Sequence, residues 1–483
     1  MVQKSLKKNA VYSFVKSLMG LLFPLISFPY ASRVLLPAGI GKVNFANSII
    51  EYFTLAASLG IFSYAAREAV RVRDNQHELN KIFKEILTIN LISTFVSYLL
   101  LFLSFFVISK FNEYRVLLIV CSTKVLFTTI GVDWIFNVQE EYKYITIRSV
   151  IFQILSLVLL FILVRGPEDY VAYAFMGVFS SVGSNVCNIF YSRKFVNFFE
   201  KCKLDLKRHI KPIFVFFGMH VATKIHTALD SIMLGFLLND SAVGYYSAAN
   251  KIKGLVVGLL TAIQATFSPR ASYYVAGNKV EEYNALISKT LNLNLFFTFP
   301  ATLGVMLVAK PLILLFSGSD FLAALPSMLI MSPVIIFTGL ASFADNMILL
   351  PKKLERISLY TQILACFVNI GLNACLIPVW GVFGASFATF VTEGLVTVWK
   401  MAVSVKFLKQ NTFIKNFLIT LFSTILMGAS VIAVLYFTEN VFIQLVLGFF
   451  TGASVYAVLT LLMGHETALM LVATIKKRIK RNR

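Results

Sequence analysis

Charge is scarce in this chain, and acidic charge scarcest. In 483 residues there are 23 Asp and Glu against 44 Lys and Arg, and charged residues make up 14% of the whole against 58% hydrophobic. So little polar surface cannot coat a soluble globule of this length, which excludes a water-soluble enzyme or binding module. Cysteine is also sparse. Cys121, Cys187, Cys202, Cys366 and Cys375 are odd in number, sit mostly inside apolar runs and show no CxxC or metal-ligand spacing, so neither a disulfide framework nor a metal centre is expected. The chain lacks GxxxxGK[ST], GxGxxG opening a helix, HExxH and GxSxG. Nucleotide-driven transport within the chain and ordinary hydrolase chemistry therefore have no motif, and no cofactor or catalytic residue is expected.

What the chain has instead is apolar length. Fourteen runs, each near the ~20 residues needed to cross the hydrocarbon core, extend roughly over Ala10 to Leu36, Asn44 to Ala66, Ile86 to Ser109, Arg115 to Phe136, Ile145 to Val164, Val171 to Ser192, Pro212 to Leu238, Val243 to Ser268, Leu291 to Val308, Ala323 to Leu350, Leu359 to Trp380, Val382 to Trp399, Phe417 to Phe437 and Val441 to Met463. This predicts an all-α polytopic membrane protein. The first run contains Lys16, is too long for a signal core and has no convincing cleavage site, so it is expected to be retained.

The net charge of +21 is explained by topology and not by nucleic acid. With the N-terminus inside, one side of the membrane carries 33 Lys and Arg and the other only Arg33, Lys42, Lys110, Arg115, Arg165 and Lys310, as the positive-inside rule requires. Both termini are thus expected in the cytoplasm, with the basic tail from Lys476 to Arg483 meeting anionic lipid headgroups.

A repeat organises the runs. The segment Gly41 to Ile49, running on to Arg67, returns without a gap 203 residues later as Gly244 to Ile252, running on to Arg270, and six of the 33 positions from Leu35 to Arg67 are identical. A repeat of six crossings returns the chain to the same side, so its copies share orientation and are related by a twofold along the membrane normal. The expected organisation is an N-lobe over 1–203, a C-lobe over 204–408, and two further helices with a basic tail over 409–483.

Five lysines remain inside the predicted spans: Lys16, Lys124, Lys224, Lys251 and Lys253. Facing lipid, they would cost on the order of 12 to 17 kcal/mol, so a wet interior or paired partners are expected. Lys16, about 9 Å from its helix start, is open to snorkelling, whereas Lys224 at about 18 Å is less so. Polar stripes support an interior: His220, Thr223, Lys224, His226, Thr227, Asp230 and Ser231 share one face of helix 7; Tyr246, Asn250, Lys253, Thr261 and Gln264 share one of helix 8; and Asn47, Glu51, Thr54 and Ser58 share one of helix 2. For Asn47 and Asn250, interhelical packing is an equal explanation. A cationic cavity implies an anionic cargo bearing phosphate or carboxylate.

His220 and His226 are read as packing residues with proton coupling as the alternative, His226 and Asp230 lying one turn apart. Glu51 and Asp133 either neutralise nearby lysines or couple an ion. Arg67 and Arg270, at matching helix ends, are expected to anchor the interface between lobes.

The 6+6+2 plan, the Phe28 to Leu35 stretch, Gly41 to Ile49, Ser63 to Glu68 and Gly381 to Ser386 together resemble the bacterial polysaccharide flippases, the O-antigen and capsule-repeat translocases of the multidrug/oligosaccharidyl-lipid/polysaccharide exporter superfamily. The resemblance spans nearly the whole chain, but its motifs are diffuse and identify the superfamily better than the cargo. It implies a MATE-like, two-lobed alternating-access carrier in the bacterial cytoplasmic membrane. Its cargo would be an undecaprenyl-diphosphate-linked oligosaccharide, its surroundings membrane lipid, and its protein partners a polysaccharide polymerase and a chain-length regulator. It further implies reliance on intramembrane cations, here positions such as Lys16, Lys124, Lys224 and Lys253. Alternatives that share the fold are a cation-coupled multidrug exporter and a lipid II flippase; a membrane glycan enzyme or scaffold is a third class, disfavoured by the short loops.

Overall fold

The computed structural model describes residues 6–408 and 413–481, without the side chains of residues 6, 7, 10, 219, 222–227, 413, 475 and 477–481. Among the described residues every regular element is a helix, the structure in which a chain inside hydrocarbon satisfies its backbone polar groups locally. The chain divides into two compact units, Met1–Gly244 and Tyr245–Arg483.

The first unit contains α1 (Leu6–Ser58), α2 (Ile61–Arg71), α3 (Gln76–Val107), α4 (Ser109–Glu113), α5 (Arg115–Gly131), α6 (Asp133–Val138), α7 (Tyr142–Leu163), α8 (Tyr170–Val182), α9 (Val186–Ser192) and α10 (Lys207–Leu237). The second contains most of α11 (Asp240–Ala265), then α12 (Ser268–Ala276), α13 (Val280–Leu307), α14 (Ala309–Phe316), α15 (Leu325–Met331), α16 (Val334–Ala344), α17 (Glu355–Ser404), α18 (Phe413–Phe437), α19 (Val441–Leu462) and α20 (Glu466–Arg481).

Two of these helices are too long to be single spans. α1 breaks at Leu36 (φ 61°, ψ 174°), immediately before Pro37, where a proline disfavours helical geometry in the preceding residue and suits the first turn of the next helix. Its limbs are about 45 and 33 Å long at 1.5 Å per residue, each enough for a bilayer core of about 30 Å. α17 breaks likewise at Gly381 (φ 58°, ψ −132°). A further break at Leu59 and Gly60, both with positive φ, splits the run expected over Asn44 to Ala66 and releases α2 as a separate short helix.

Among the described residues eight helices qualify by length and apolarity as membrane spans, or nine with the bent pair Ser319–Met331 and Val334–Leu349, against the fourteen runs counted in the sequence. Most of the difference is physical. Both broken rods count once, α5 has 17 residues, and a 3-10 turn over Gly183–Asn185 divides α8 from α9; α10 is a helix of 31 residues over Lys207–Leu237, some of whose side chains lie outside the described residues.

The repeat has a structural counterpart at the chain segment where the copies begin. Pro37 and Gly41 correspond to Asp240 and Gly244 at the offset of 203 residues. A Cβ on Gly41 would stand 1.7 Å from the Asp240 carbonyl oxygen, and a Cβ on Gly244 would stand 2.1 Å from the Pro37 carbonyl oxygen. The contact is reciprocal, and it works only because both positions lack a side chain.

Two cations assigned by position to loops are interior. Arg148 is 7% exposed and Lys400 1% exposed. Each begins or ends a helix in sequence, but in the fold each folds back onto a carboxylate: Arg148 on Asp133 at 2.6 Å and Lys400 on Asp345 at 2.8 Å. The five cysteines are free.

Candidate functional site

In the first unit a cavity of about 260 Å³ opens beside α1, α5 and α10, and among the described residues its polar lining comprises Glu51, Tyr52, Thr54, Ser58, Lys124 and His220. Three of these, Glu51, Thr54 and Ser58, come from one face of the second limb of α1, spaced three and four residues apart. Lys124 comes from α5 and approaches Glu51 Oε1 at 3.6 Å, with side-chain exposures of 26% and 47%. His220 enters from α10, where its Nε2 lies 3.3 Å from Ser63 Oγ. Gly60 permits this approach, since a Cβ there would stand 3.0 Å from the His220 ring. The cavity therefore holds a cation, a carboxylate, an imidazole and hydroxyls, a set able to bind an anion and to exchange its own counter-charge. A larger groove of about 600 Å³ in the second unit has an apolar wall on α18, with Lys415 beside it, and offers little beyond apolar contact.

A second polar cluster in the same unit surrounds Asp133. Arg148 from α7 donates to its Oδ1, Asn188 Nδ2 from α9 donates to the same oxygen at 2.9 Å, and Arg148 also reaches the Ser184 carbonyl and Asn185 Oδ1 at 3.0 Å each. Gly131 makes the junction possible: a Cβ there would meet the Asn185 amide at 2.4 Å. Asp133 and Arg148 are the charges that act on Lys16, which is exposed on α1. Asp133 thus neutralises an arginine that reading by position had placed in a loop. The signal for Arg148 was present in its position as the fourth residue of the run beginning at Ile145.

The remaining candidates are placed as follows. Lys251, Lys253 and Asn250 are half-buried on α11, and both lysines interact with neighbours. Asn47 is half-buried on α1. Asp230 is buried on α10 and engaged. Lys224 and His226 lie outside the residues whose side chains are described. Arg67 bonds Glu68 at 3.0 Å and lies over the Tyr64 and Phe216 rings, on the surface of the first unit, while Arg270 is exposed in the first turn of α12. Two members of the helix 8 stripe turn inward to packing bonds: Tyr246 to Thr389 and Gln264 to the Gly339 carbonyl.

The basic segment between α9 and α10 is tied to α3 by two glutamates. Fully buried Glu85 accepts from the Asp205 backbone N–H at 2.7 Å, from Arg208 and from His209, whose other nitrogen meets Tyr64 Oη at 2.6 Å. Glu200 accepts from Asn80 and lies beside His77, contacts that hold its carboxyl below the usual carboxylate range.

Residues 6–275 match the family described as polysaccharide biosynthesis protein. The chain belongs to that family. It is 24% identical over 398 residues to a putative O-antigen transporter of Escherichia coli K12, covering 81% of this chain and 95% of the relative. It is 22% identical over 398 residues to the capsular polysaccharide biosynthesis protein CapF of Staphylococcus aureus, covering 80% and 96%. Among solved structures it is similar to the lipid II flippase MurJ in an inward closed conformation, with TM-score 0.75, 18% identity and coverage of 94% and 97%. An inward-facing multidrug resistance MATE transporter of the MOP superfamily follows at TM-score 0.58, 13% identity and coverage of 84% and 96%. The fold is therefore the all-α membrane fold of MurJ and MATE transporters, as the resemblance implied.

Proposed function

We propose that this chain is a flippase, not an enzyme, which moves an undecaprenyl-diphosphate-linked oligosaccharide repeat unit across the bacterial cytoplasmic membrane for surface polysaccharide assembly. The observation that carries the reading is Lys124, an intramembrane cation facing the 260 Å³ cavity of the unit that the family match covers. Its ammonium meets Glu51 at 3.6 Å, a long and partly solvated pair worth at most about 1 kcal/mol. A diphosphate, with more charge and more acceptor oxygens, competes well for such a cation. Glu51 is then the group that gives way, and Thr54, Ser58 and His220 supply hydrogen bonds around the headgroup.

In the same reading the broken rods count as two spans each, the chain crosses fourteen times, and lobes over 1–203 and 204–408 alternate access to the cargo. The asymmetry of loop Lys and Arg, which persists with the interior Arg148 and Lys400 set aside, favours both termini in the cytoplasm. The polymerase and chain-length regulator of the same assembly line are its natural neighbours. Lys124, an intramembrane cation in this cavity, favours an anionic cargo over the cationic cargo of a drug exporter.

The test is surface glycan in cells carrying Lys124→Ala or Lys224→Ala at unchanged protein level. Loss of glycan, with lipid-linked repeat units retained on the cytoplasmic leaflet, is expected. Normal glycan in both variants would remove the cationic site from the account.

A further inference from the structure

Each compact unit holds an aspartate at the first position past an irregularity in a helix. In the first unit α5 ends at Gly131, Val132 turns left-handed (φ 39°), and Asp133 opens α6. In the second α16 ends at Ala344 and Asp345 opens a π-turn over Asp345–Leu349, closed by the Leu350 N–H on the Asp345 carbonyl at 3.0 Å. Either irregularity interrupts the i→i−4 ladder and so leaves the aspartate out of the helical register.

The partners of the two carboxylates follow one order along the chain. Asp133 is met first by Arg148 of α7, 15 residues on, at 2.6 Å, and then by Asn188 of α9, 55 residues on, at 2.9 Å. Asp345 is met first by Ser358 in the first turn of α17, 13 residues on, and then by Lys400, beyond the break of α17 at Gly381 and 55 residues on, at 2.8 Å. Asn188 and Lys400 are fully buried, while both carboxylates are partly open. Asp133 and Asp345 stand 212 residues apart, as do Asn188 and Lys400. The gapless match of residues 35–67 with their copy runs at 203, so a shift of nine residues hides this second correspondence from the sequence. Two unrelated ion pairs would have no reason to agree in the helix irregularity, in the order of partners and in the 55-residue spacing.

What differs is the origin of the positive charge. It comes from the nearer partner in the first unit and from the farther one in the second, and each joint keeps one acid to one base. We propose that the two are copies of one joint, which needs a single cation from either partner position, and that Arg148 and Asn188, acting through Asp133, are positioning residues for Lys124. The joint lies at the end of α5, seven residues or about 10 Å beyond Lys124. Arg148 widens it to the Ser184 carbonyl and Asn185 Oδ1 at 3.0 Å each, and Asn185 Nδ2 returns to the Phe127 carbonyl of α5 at 3.0 Å. The helix that presents the cavity's cation is thereby tied to α7 and α9. The role at Lys124 rests on the flippase reading; the duplication of the joint does not.

The test moves the charge within the full-length protein in nanodiscs. Arg148→Ser removes the cation from Asp133, and Asn188→Lys alone buries a second cation beside Arg148, so each lowers the melting temperature. The double variant, which copies the second unit, recovers most of the larger loss. Ser358→Arg with Lys400→Asn copies the first unit and behaves in the same way, which keeps the test decisive where one exchange misfolds. Double variants that are no more stable than the worse of their singles, in both units, overturn the proposal. Melting needs no cargo, so this result stands apart from the flippase reading. Binding of a fluorescent polyprenyl diphosphate then tests the positioning role. It should weaken by roughly threefold or more in Arg148→Ser and return in the double variant, whose net charge equals that of the unaltered chain. Recovered stability with binding still weak overturns the positioning of Lys124. No binding by the unaltered chain would overturn the flippase reading and the positioning role with it, and leave the duplicated joint to the melting temperatures.

Discussion

Lys124 Nζ lies 3.6 Å from Glu51 Oε1, and the pair shares its cavity with His220. At that separation, with both side chains partly exposed, the attraction is modest and exchangeable. Glu51→Gln should therefore change stability by no more than about 1 kcal/mol while tightening binding of an anionic headgroup, because Lys124 no longer has a competing carboxylate. Lys124→Ala should weaken that binding and Lys124→Arg should retain it. Binding of a fluorescent polyprenyl diphosphate to the three purified variants checks all of this; unchanged affinity in Lys124→Ala contradicts it.

Arg148 presents a different case, since it is buried and bonded to Asp133 at 2.6 Å. Truncation removes a charge-assisted hydrogen bond but leaves Asp133, whose side chain is 37% exposed, with its bond from Asn188, so Arg148→Ala should cost about 1.5 to 3 kcal/mol. Joint replacement by Arg148→Met and Asp133→Leu should recover part of that loss. Denaturant unfolding of the single and double variants measures the coupling; equal destabilisation by Arg148→Ala and by the double variant would show that the pair carries no such interaction.

The glycine contacts give a prediction with an internal control. Gly41 and Gly244 face carbonyl oxygens at 1.7 and 2.1 Å from a built Cβ, whereas Gly177 on α8 has nothing within 4 Å. Gly41→Ala and Gly244→Ala should each cost about 1 to 3 kcal/mol or more by overpacking, and Gly177→Ala should be neutral or stabilising by up to about 1 kcal/mol. Melting temperatures of the three variants, measured together, test the contrast.

His465 makes the turn between α19 and α20 sensitive to pH. Its Nδ1 accepts from the Thr467 N–H at 3.1 Å and its Nε2 meets Thr420 Oγ1 at 3.1 Å, an arrangement made by the neutral ring. Burial lowers its pKa below the ordinary 6.5. The unfolded chain then binds the proton more readily than the folded one, so the stabilisation is complete above pH ~6.5 and is lost as pH falls through the lower folded value. Amide exchange around Thr467 should accelerate across that window, and His465→Asn should remove the dependence while preserving a cap. Exchange independent of pH beyond its intrinsic rate would contradict the assignment.

Much of the fold was legible because membrane helices are written in apolar length, and the repeat of Gly41 in Gly244 recorded a contact that the backbone makes. Helix 2's stripe was legible for the same reason: Glu51, Thr54 and Ser58 sit at helical spacing and line one cavity. What position along the chain could not give was direction. Arg148 and Lys400 stand near helix ends, and only tertiary packing on Asp133 and Asp345 decides that they point inward. Tyr246 and Gln264 share the stripe with Lys253, yet they bond Thr389 and Gly339; periodicity names a face and not what covers it. The breaks at Leu59 and Gly60 depend on backbone geometry that a run of apolar residues does not reveal.

The most direct test of the central claim is leaflet-resolved transport in proteoliposomes that contain this protein alone and an undecaprenyl-diphosphate-linked oligosaccharide. The account predicts protein-dependent movement of the oligosaccharide to the opposite leaflet, reduced at least tenfold by Lys124→Ala, equivalent to about 1.4 kcal/mol of lost interaction. Movement no faster than in protein-free vesicles, or movement unaffected by Lys124→Ala and Lys224→Ala together, would contradict it.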